Sequence, residues 1–192
     1  MALAIAASLQ VVPAASAEAA VSDASASQKL SFRGMTLTIP AAWKVTYERG
    51  YHRQWVSVDT AACHRRQITC PGFDLVGPKI IKGGDDIHIE SYRRDRAWEP
   101  GTSVSSCRFG RDMNTGERFL RAKPVTQGLR KVGRGHRAEY REWAGECYSM
   151  ATGKRTRRFT QRLWYLPKTQ ILIADGWNNP SLARILERAT WR

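Results

Sequence analysis

Hydrophobic and polar positions alternate with a period of two along much of the chain, the signature of half-buried β-strands. Met35, Leu37 and Ile39 alternate with Thr36 and Thr38 up to Pro40, and Leu30 and Phe32 keep the same period before Arg33-Gly34 shifts the phase by one residue. That shift predicts a tight turn and a hairpin. Further strands are expected at Lys44 to Tyr47, Trp55 to Val58, Ile87 to Tyr92, Gly128 to Val132 and Arg137 to Trp143. Two β-rich runs, Phe159 to Leu166 and Gln170 to Ala174, are joined by Pro167-Lys168-Thr169, which suits an antiparallel hairpin. The stretch from Thr102 to Leu120 reads mostly as loop.

The strongest helical period comes at the C-terminus, where Asn179 can cap, Pro180 takes the first turn, and Leu182, Ile185, Leu186 and Ala189 form one apolar stripe. A short one-sided helix must lay that stripe on another element. The expected class is therefore α+β: an antiparallel sheet covered by a C-terminal helix. At the other end, Ala2 to Val12 is apolar and uncharged and precedes Ala15-Ser16-Ala17, a small-x-small pattern. Residues 1–17 are expected to be a signal peptide, 18–29 a flexible leader, and 30–192 a single α+β domain.

Two stretches, Phe32 to Trp43 (FRGMTLTIPAAW) and the closing Leu182 to Trp191 helix, resemble the PsbP-like α/β/α sandwich, whose members open with a strand of the form F-x-x-x-L-x-I-P-x-x-W. The likeness covers about a quarter of the chain and implies a sandwich fold and a role in binding or assisting other proteins. It supplies no catalytic residue. The middle of the chain, with Arg141 to Cys147 and Trp164 to Pro167, is similar to small secreted proteins of unknown function from high-GC bacteria.

Composition narrows the setting. The chain has 192 residues, 42% of them hydrophobic, and seven tryptophans, enough for a real core and too many apolar side chains for disorder. Cys63, Cys70, Cys107 and Cys147 make an even set behind an export-like leader, so disulfides are expected, with Cys63–Cys70 and Cys107–Cys147 favoured among three pairings. His64 and His52 lie near Cys63, but no C-x-x-C or H-x-x-x-H spacing accompanies them, and no metal or cofactor is expected. The expected location is secreted or at the cell envelope.

Charge changes the picture most. The 31 Lys and Arg exceed the 17 Asp and Glu by 14, and between Arg118 and Arg162 there are 13 basic residues against Glu139, Glu142 and Glu146. An excess of that size favours polyanions. Arg134, Arg137, Arg141, Lys154, Arg155, Arg157, Arg158 and Arg162 are the candidate binding residues, with Arg137, Glu139 and Arg141 expected on one face of a strand and Arg158, Thr160 and Arg162 on one face of another. The expected partner of this monomer is an anionic polymer or membrane surface, or another envelope protein, with nucleic acid as an alternative.

Catalytic motifs are scarce. There is no phosphate-binding G-x-x-x-x-G-K-[ST] loop and no G-x-S-x-G elbow, and His88-Ile89-Glu90 lacks the P-C-x-x-C partner of the zinc deaminases. One set remains that fits acid–base cleavage of RNA: His88, Glu90, Arg93 and His136, with Tyr92 and Tyr140 to stack on bases. The sequence thus favours a non-enzymatic binding or accessory protein over the alternative of a secreted hydrolase such as a ribonuclease. Among the tryptophans, Trp98 and Trp177 sit in loop sequence and are the pair expected to reach the surface, where they could stack on carbohydrate.

Overall fold

The structure, a computed structural model, describes residues 26–51, 53–63, 69–84, 88–101, 105–111 and 113–192. The expected signal peptide, the leader up to residue 25, His52 and His64 lie outside them.

The described chain runs β1 (Ser27–Phe32), β2 (Met35–Pro40), β3 (Lys44–Tyr47), β4 (Trp55–Asp59), β5 (Gly72–Val76), α1 (Pro78–Lys82), β6 (Thr115–Phe119), β7 (Thr126–Lys131), β8 (Arg137–Ser149), β9 (Arg155–Leu166), β10 (Ile171–Asp175), α2 (Leu182–Glu187) and β11 (Thr190–Trp191). Eight strands form one sheet in the order β3-β4-β5-β10-β9-β8-β6, with β7 pairing β8 beside β6; the other three form a small sheet, β1-β2-β11. All pairings are antiparallel.

This is a β-rich fold and corrects the α+β expectation: among the described residues strands hold 47% and helices 8%. The apolar stripe of the last helix is in the expected phase, since Leu182 and Leu186 are fully buried. The helix nevertheless stops after six residues, and Thr190–Trp191 returns to pair with Thr36 and Met35. The cover on that face of the large sheet is mainly the β1–β2 hairpin, which brings Leu30, Phe32, Met35, Leu37 and Ile39 to within 4% exposure in one core with Val56, Leu75, Trp164 and Ile173. Among the described residues two short helices do not make the layers of an α/β/α sandwich. β1 begins inside the expected leader, and Gln28 ties it down by donating from Nε2 to the Trp43 carbonyl at 2.6 Å.

A second core fills the opposite face of the large sheet, where α1 and the segment 88–101 bring Ile80, Ile89, Ala97 and Trp98 against Trp143, Leu163 and Leu172. Of the strand expected from Ile87 to Tyr92, the described residues 88–92 form none. Ile89 makes a single bridge to Gly84, Tyr92 donates its amide to Ile81, and the rest of 90–101 crosses the sheet as irregular cover. Two strands went unread in the sequence, β5 and β6. Four of the five β5 residues are buried, which erases the alternation. β6 carries a buried Glu117 whose polarity mimics a loop.

Both expected disulfides are present, Cys63–Cys70 and Cys107–Cys147. They point to an oxidising environment of the extracellular kind. No helix among the described residues is long and apolar enough to cross a membrane. The bridges close chain separations of 7 and 40 residues. Loop closure then assigns about 2.4 and about 3.9 kcal/mol to them. Replacing Cys107 and Cys147 with Ala should therefore lower unfolding stability, read by denaturant titration, by more than replacing Cys63 and Cys70; equal losses would show that loop length is not what the long bridge contributes.

Candidate functional site

A group of positive side chains surrounds a cleft at one end of β7, β8 and β9. Antiparallel pairing sets Lys131 directly opposite Arg137, and Leu129 opposite Glu139, which in turn faces Tyr165. The β7–β8 turn and the β9–β10 turn therefore lie side by side. Gly133 shapes the first of them: its φ is +70°, and a Cβ there would come within 2.2 Å of the Ala189 carbonyl oxygen, so the turn can press against the end of α2. Its amide donates to the Leu186 carbonyl at 2.9 Å.

Between the turns is a cavity of about 690 Å³. Its charged or titratable lining consists of Lys131, His136, Arg137 and Lys168; among the described residues no carboxylate lines it. Leu129, Leu166 and Pro167 supply apolar wall. The His136 ring stacks on Trp191 with centroids 3.9 Å apart and planes 16° from parallel, its Nδ1 lies 3.1 Å from the Arg134 carbonyl oxygen, and Trp191 is held by donating from Nε1 to Val132 O at 2.8 Å. The acid adjoining the cleft on β8, Glu139, is already engaged by Arg94 at 3.1 Å and Arg141 at 3.2 Å. Like charges placed opposite one another across a ladder repel, so the Lys131–Arg137 pair is a place where an incoming anion lowers the energy.

The other residues of the arginine-rich run are dispersed. Arg134 is exposed in the same turn as His136, while Arg141 is half-buried against Glu139. Lys154, Arg155, Arg157 and Arg158 are exposed at the far end of the β8–β9 ladder, roughly 30 Å away at 3.3 Å per residue. Arg157 sits over the Phe109 ring at 4.1 Å, and Arg158 is paired in register with Glu146, which accepts from Arg118 at 2.7 Å. The basic run is thus two surfaces at opposite ends of the sheet. Arg137 and Arg141 do share one face of β8, and Arg158 and Arg162 lie on the opposite face of the sheet.

Arg162 belongs to neither surface. It is bound to Asp175, which has no exposed surface, and to the Asn179 carbonyl oxygen. Asp175 also accepts from the amides of Trp177 and Asn179, both at 2.9 Å, so this pair organises the turn that leads from β10 to α2. The helix starts later than expected: Ser181, not Asn179, is its N-cap and makes no side-chain cap bond, while Asn179 lies in the preceding turn and accepts from the Ser181 amide at 2.9 Å.

The residues expected to cleave RNA do not converge. His88 is exposed in a turn with φ +49°, Glu90 pairs with Arg96 at 2.7 Å, and Arg93 pairs with Asp95 at 2.7 Å. None of these three lines the cavity that holds His136. The two tyrosines are committed to packing: Tyr92 lies against Tyr165 at 5.2 Å, and Tyr140 against Trp164 at 4.9 Å with its hydroxyl on Glu142. Burial pushes the Tyr92 phenol up to about 12. Among the described residues no three His, Cys, Asp or Glu side chains gather into a metal-binding group.

A second cavity, of about 360 Å³, opens on the same face of the large sheet toward β4 and β5 and is lined in part by Asp74, Arg108, Trp98 and Trp177. Burial holds the Asp74 carboxyl above its ordinary value of 3.8, against the opposing pull of hydrogen bonds from Trp55 and Ser57 and of the Arg108 charge. Comparison with known proteins adds no relative: no family model matches the chain, and neither a curated protein nor a solved structure matches it.

Two stability outcomes follow from these placements. Arg162→Leu strands a fully buried carboxylate, and breaking a buried pair in this way costs roughly 3 to 5 kcal/mol; a loss under about 1 kcal/mol, typical of an exposed pair, would place Arg162 with the surface arginines. For Asp74 the raised folded value means that the folded state holds the proton more tightly than the unfolded chain. Its contribution to stability is complete below the ordinary value of 3.8 and is lost as pH rises through the folded value. Asp74→Asn keeps an acceptor for Trp55 and Ser57 but cannot ionise, so the melting temperature of the variant should gain on the parent as pH rises from 3.8 through the folded value. A difference that stays constant over that range would show that the carboxyl titrates normally.

Proposed function

We propose that this is an exported, disulfide-stabilised basic domain of the cell envelope that acts as a non-enzymatic binding or accessory protein for an anionic partner, and that the cleft between the β7–β8 and β9–β10 turns is its contact site. The observation that carries the reading is the cross-strand Lys131–Arg137 pair, joined by His136 and Lys168 around one cavity whose described lining includes no carboxylate. Cations gathered without a compensating acid are the arrangement that phosphate, sulfate or carboxylate groups recognise. The exposed Leu129 beside them adds apolar contact for a ligand that is not anionic throughout. The four exposed cations at 154–158 supply a second, looser attraction for a long polymer or a charged surface.

The ribonuclease alternative has less support, because His88, Glu90 and Arg93 stand apart from His136 and two of them are engaged in exposed ion pairs. Cleavage by acid–base chemistry needs its groups within hydrogen-bond reach of one phosphate.

Binding to polyphosphate and to phosphatidylglycerol vesicles, measured across a salt series, tests the proposal. Replacing Lys131, Arg137 and Lys168 together with Ser should weaken binding by at least about tenfold and lower the salt slope by roughly 3, one for each lost contact. Replacing Lys154, Arg155, Arg157 and Arg158 with Ser should have the smaller effect. If only the second variant loses affinity, the arginine cluster and not the cleft is the working surface. If neither does, the charge is a solvated surface, and turnover of RNA that disappears in His136→Ala would replace the binding reading with the catalytic one.

A further inference from the structure

We propose that the second cavity, floored by β4, β5 and β10, is a binding site for an uncharged sugar ring, independent of the basic cleft. Strand register builds its floor. Ser57 pairs with Asp74 and Asp59 with Gly72 across β4 and β5, and Asp74 pairs with Ala174 across β5 and β10, so these side chains share one face in adjacent rows. Most of them are small, and that is what makes a depression in an otherwise packed sheet. One position on the floor admits no side chain, since a Cβ at Gly72 would lie 2.1 Å from the Val58 carbonyl oxygen, and at Gly176 the missing side chain leaves the space that the Arg108 guanidinium occupies.

Tryptophans form the walls. Trp55 and Trp98 lie 5.6 Å apart, and the Trp98 backbone is clamped by Gln161, which accepts from its amide at 2.9 Å and donates to its carbonyl at 2.8 Å. Trp177 is half-buried, set by its amide bond to Asp175 and by an edge contact with Phe109 at 4.5 Å. Of the two tryptophans expected at the surface for carbohydrate stacking, Trp177 lines the cavity half-buried, whereas Trp98 is only 4% exposed and belongs to the second core, backing the wall that Trp55 and Trp177 present.

The polar lining decides the ligand. Asp74 accepts from Trp55 Nε1 at 2.9 Å and from Ser57 Oγ at 2.8 Å, both at Oδ1, so its Oδ2 takes neither bond. Arg108 is fixed on Glu117 by two bonds, of 2.9 and 2.6 Å, and spans the wall above Gly176. An anion would meet Asp59, Asp74 and Glu117 against one arginine. A cation would meet that guanidinium, with Glu117 already neutralised by it and Asp74 already accepting from Trp55 and Ser57. An apolar ligand would leave the carboxyl floor dehydrated and unpaired. Hydroxyl groups, which donate and accept, satisfy carboxylate, hydroxyl and guanidinium side by side, while the C–H faces of a sugar ring lie on the indoles. At about 360 Å³ the cavity is in the size range of small-molecule sites.

The full chain should be titrated with a panel of glucose, galactose, mannose, N-acetylglucosamine and their disaccharides, read by saturation-transfer NMR and calorimetry, with tetramethylammonium and sulfate as controls. At least one sugar is expected to saturate the protein. Trp177→Ala should weaken that sugar by about tenfold, the loss of one stacking contact. Trp177→Phe should recover most of the affinity, and the Lys131, Arg137 and Lys168 triple variant should bind the sugar as the parent does. If Trp177→Ala loses its fold, Asp59→Ala asks the same question of the polar floor. The proposal is overturned if no sugar in the panel saturates, if tetramethylammonium or sulfate competes for the cavity, or if both cavity variants bind as the parent does. Failure here leaves the anion cleft untouched, because the two sites share no lining residue.

Discussion

The ten-pair ladder between β8 and β9 is the constraint on which the large sheet depends. At 13 and 12 residues these are the longest strands of the molecule. β10 and, beyond it, β5 attach to one side, while β7 and β6 attach end to end along the other edge of β8. The long disulfide is anchored at Cys147 within the same strand. Because side chains alternate faces, a slip of one residue would exchange Trp143 and Leu163, which fill one core, for Tyr140 and Trp164, which fill the other. Both faces are buried, so register is held from two sides at once.

That ladder also distributes function. It separates the two basic surfaces by its own length and sets the Lys131–Arg137 repulsion at one end, where the strands stop pairing and turns take over. The face opposite the β1–β2 hairpin is covered by α1 and irregular chain instead of a sheet, and cover of that kind leaves gaps. Both cavities open on this incompletely roofed face. They differ in charge because their walls come from different rows: cationic turns at the end of β7, β8 and β9, acidic and small residues along β4 and β5.

The buried polar groups show how the loops are held. Asp175 has no exposed surface yet accepts from Arg162 and from two backbone amides, which satisfies the carboxylate and orders the turn into α2. Glu117 is nearly as buried and is matched by Arg108. These arginines count toward the chain's excess charge but are mostly buried and already matched by buried carboxylates, so the net charge overstates the cations available to a partner.

The sequence alone determined the elements whose pattern is local. The β1–β2 hairpin, β3, β4, the β9–β10 hairpin, the phase of the last helix and the presence of disulfides are all legible, because alternation, a turn dipeptide or an even cysteine count signals each. Only the tertiary structure decided the rest. β5 is buried on both faces and so shows no alternation, β6 hides its carboxylate against an arginine nine residues before it, and 87–92 alternates like a strand in sequence yet its described residues 88–92 make only one bridge. The same holds for the candidate sites. Charge counts name Arg137 and Arg162 alike, and only the fold leaves the first at an open cleft and buries the second on Asp175. Trp98 and Trp177 are 79 residues apart in the chain and share a cavity because β9 and β10 pair between them. Burial and convergence are properties of long-range pairing, and no local window of residues contains them.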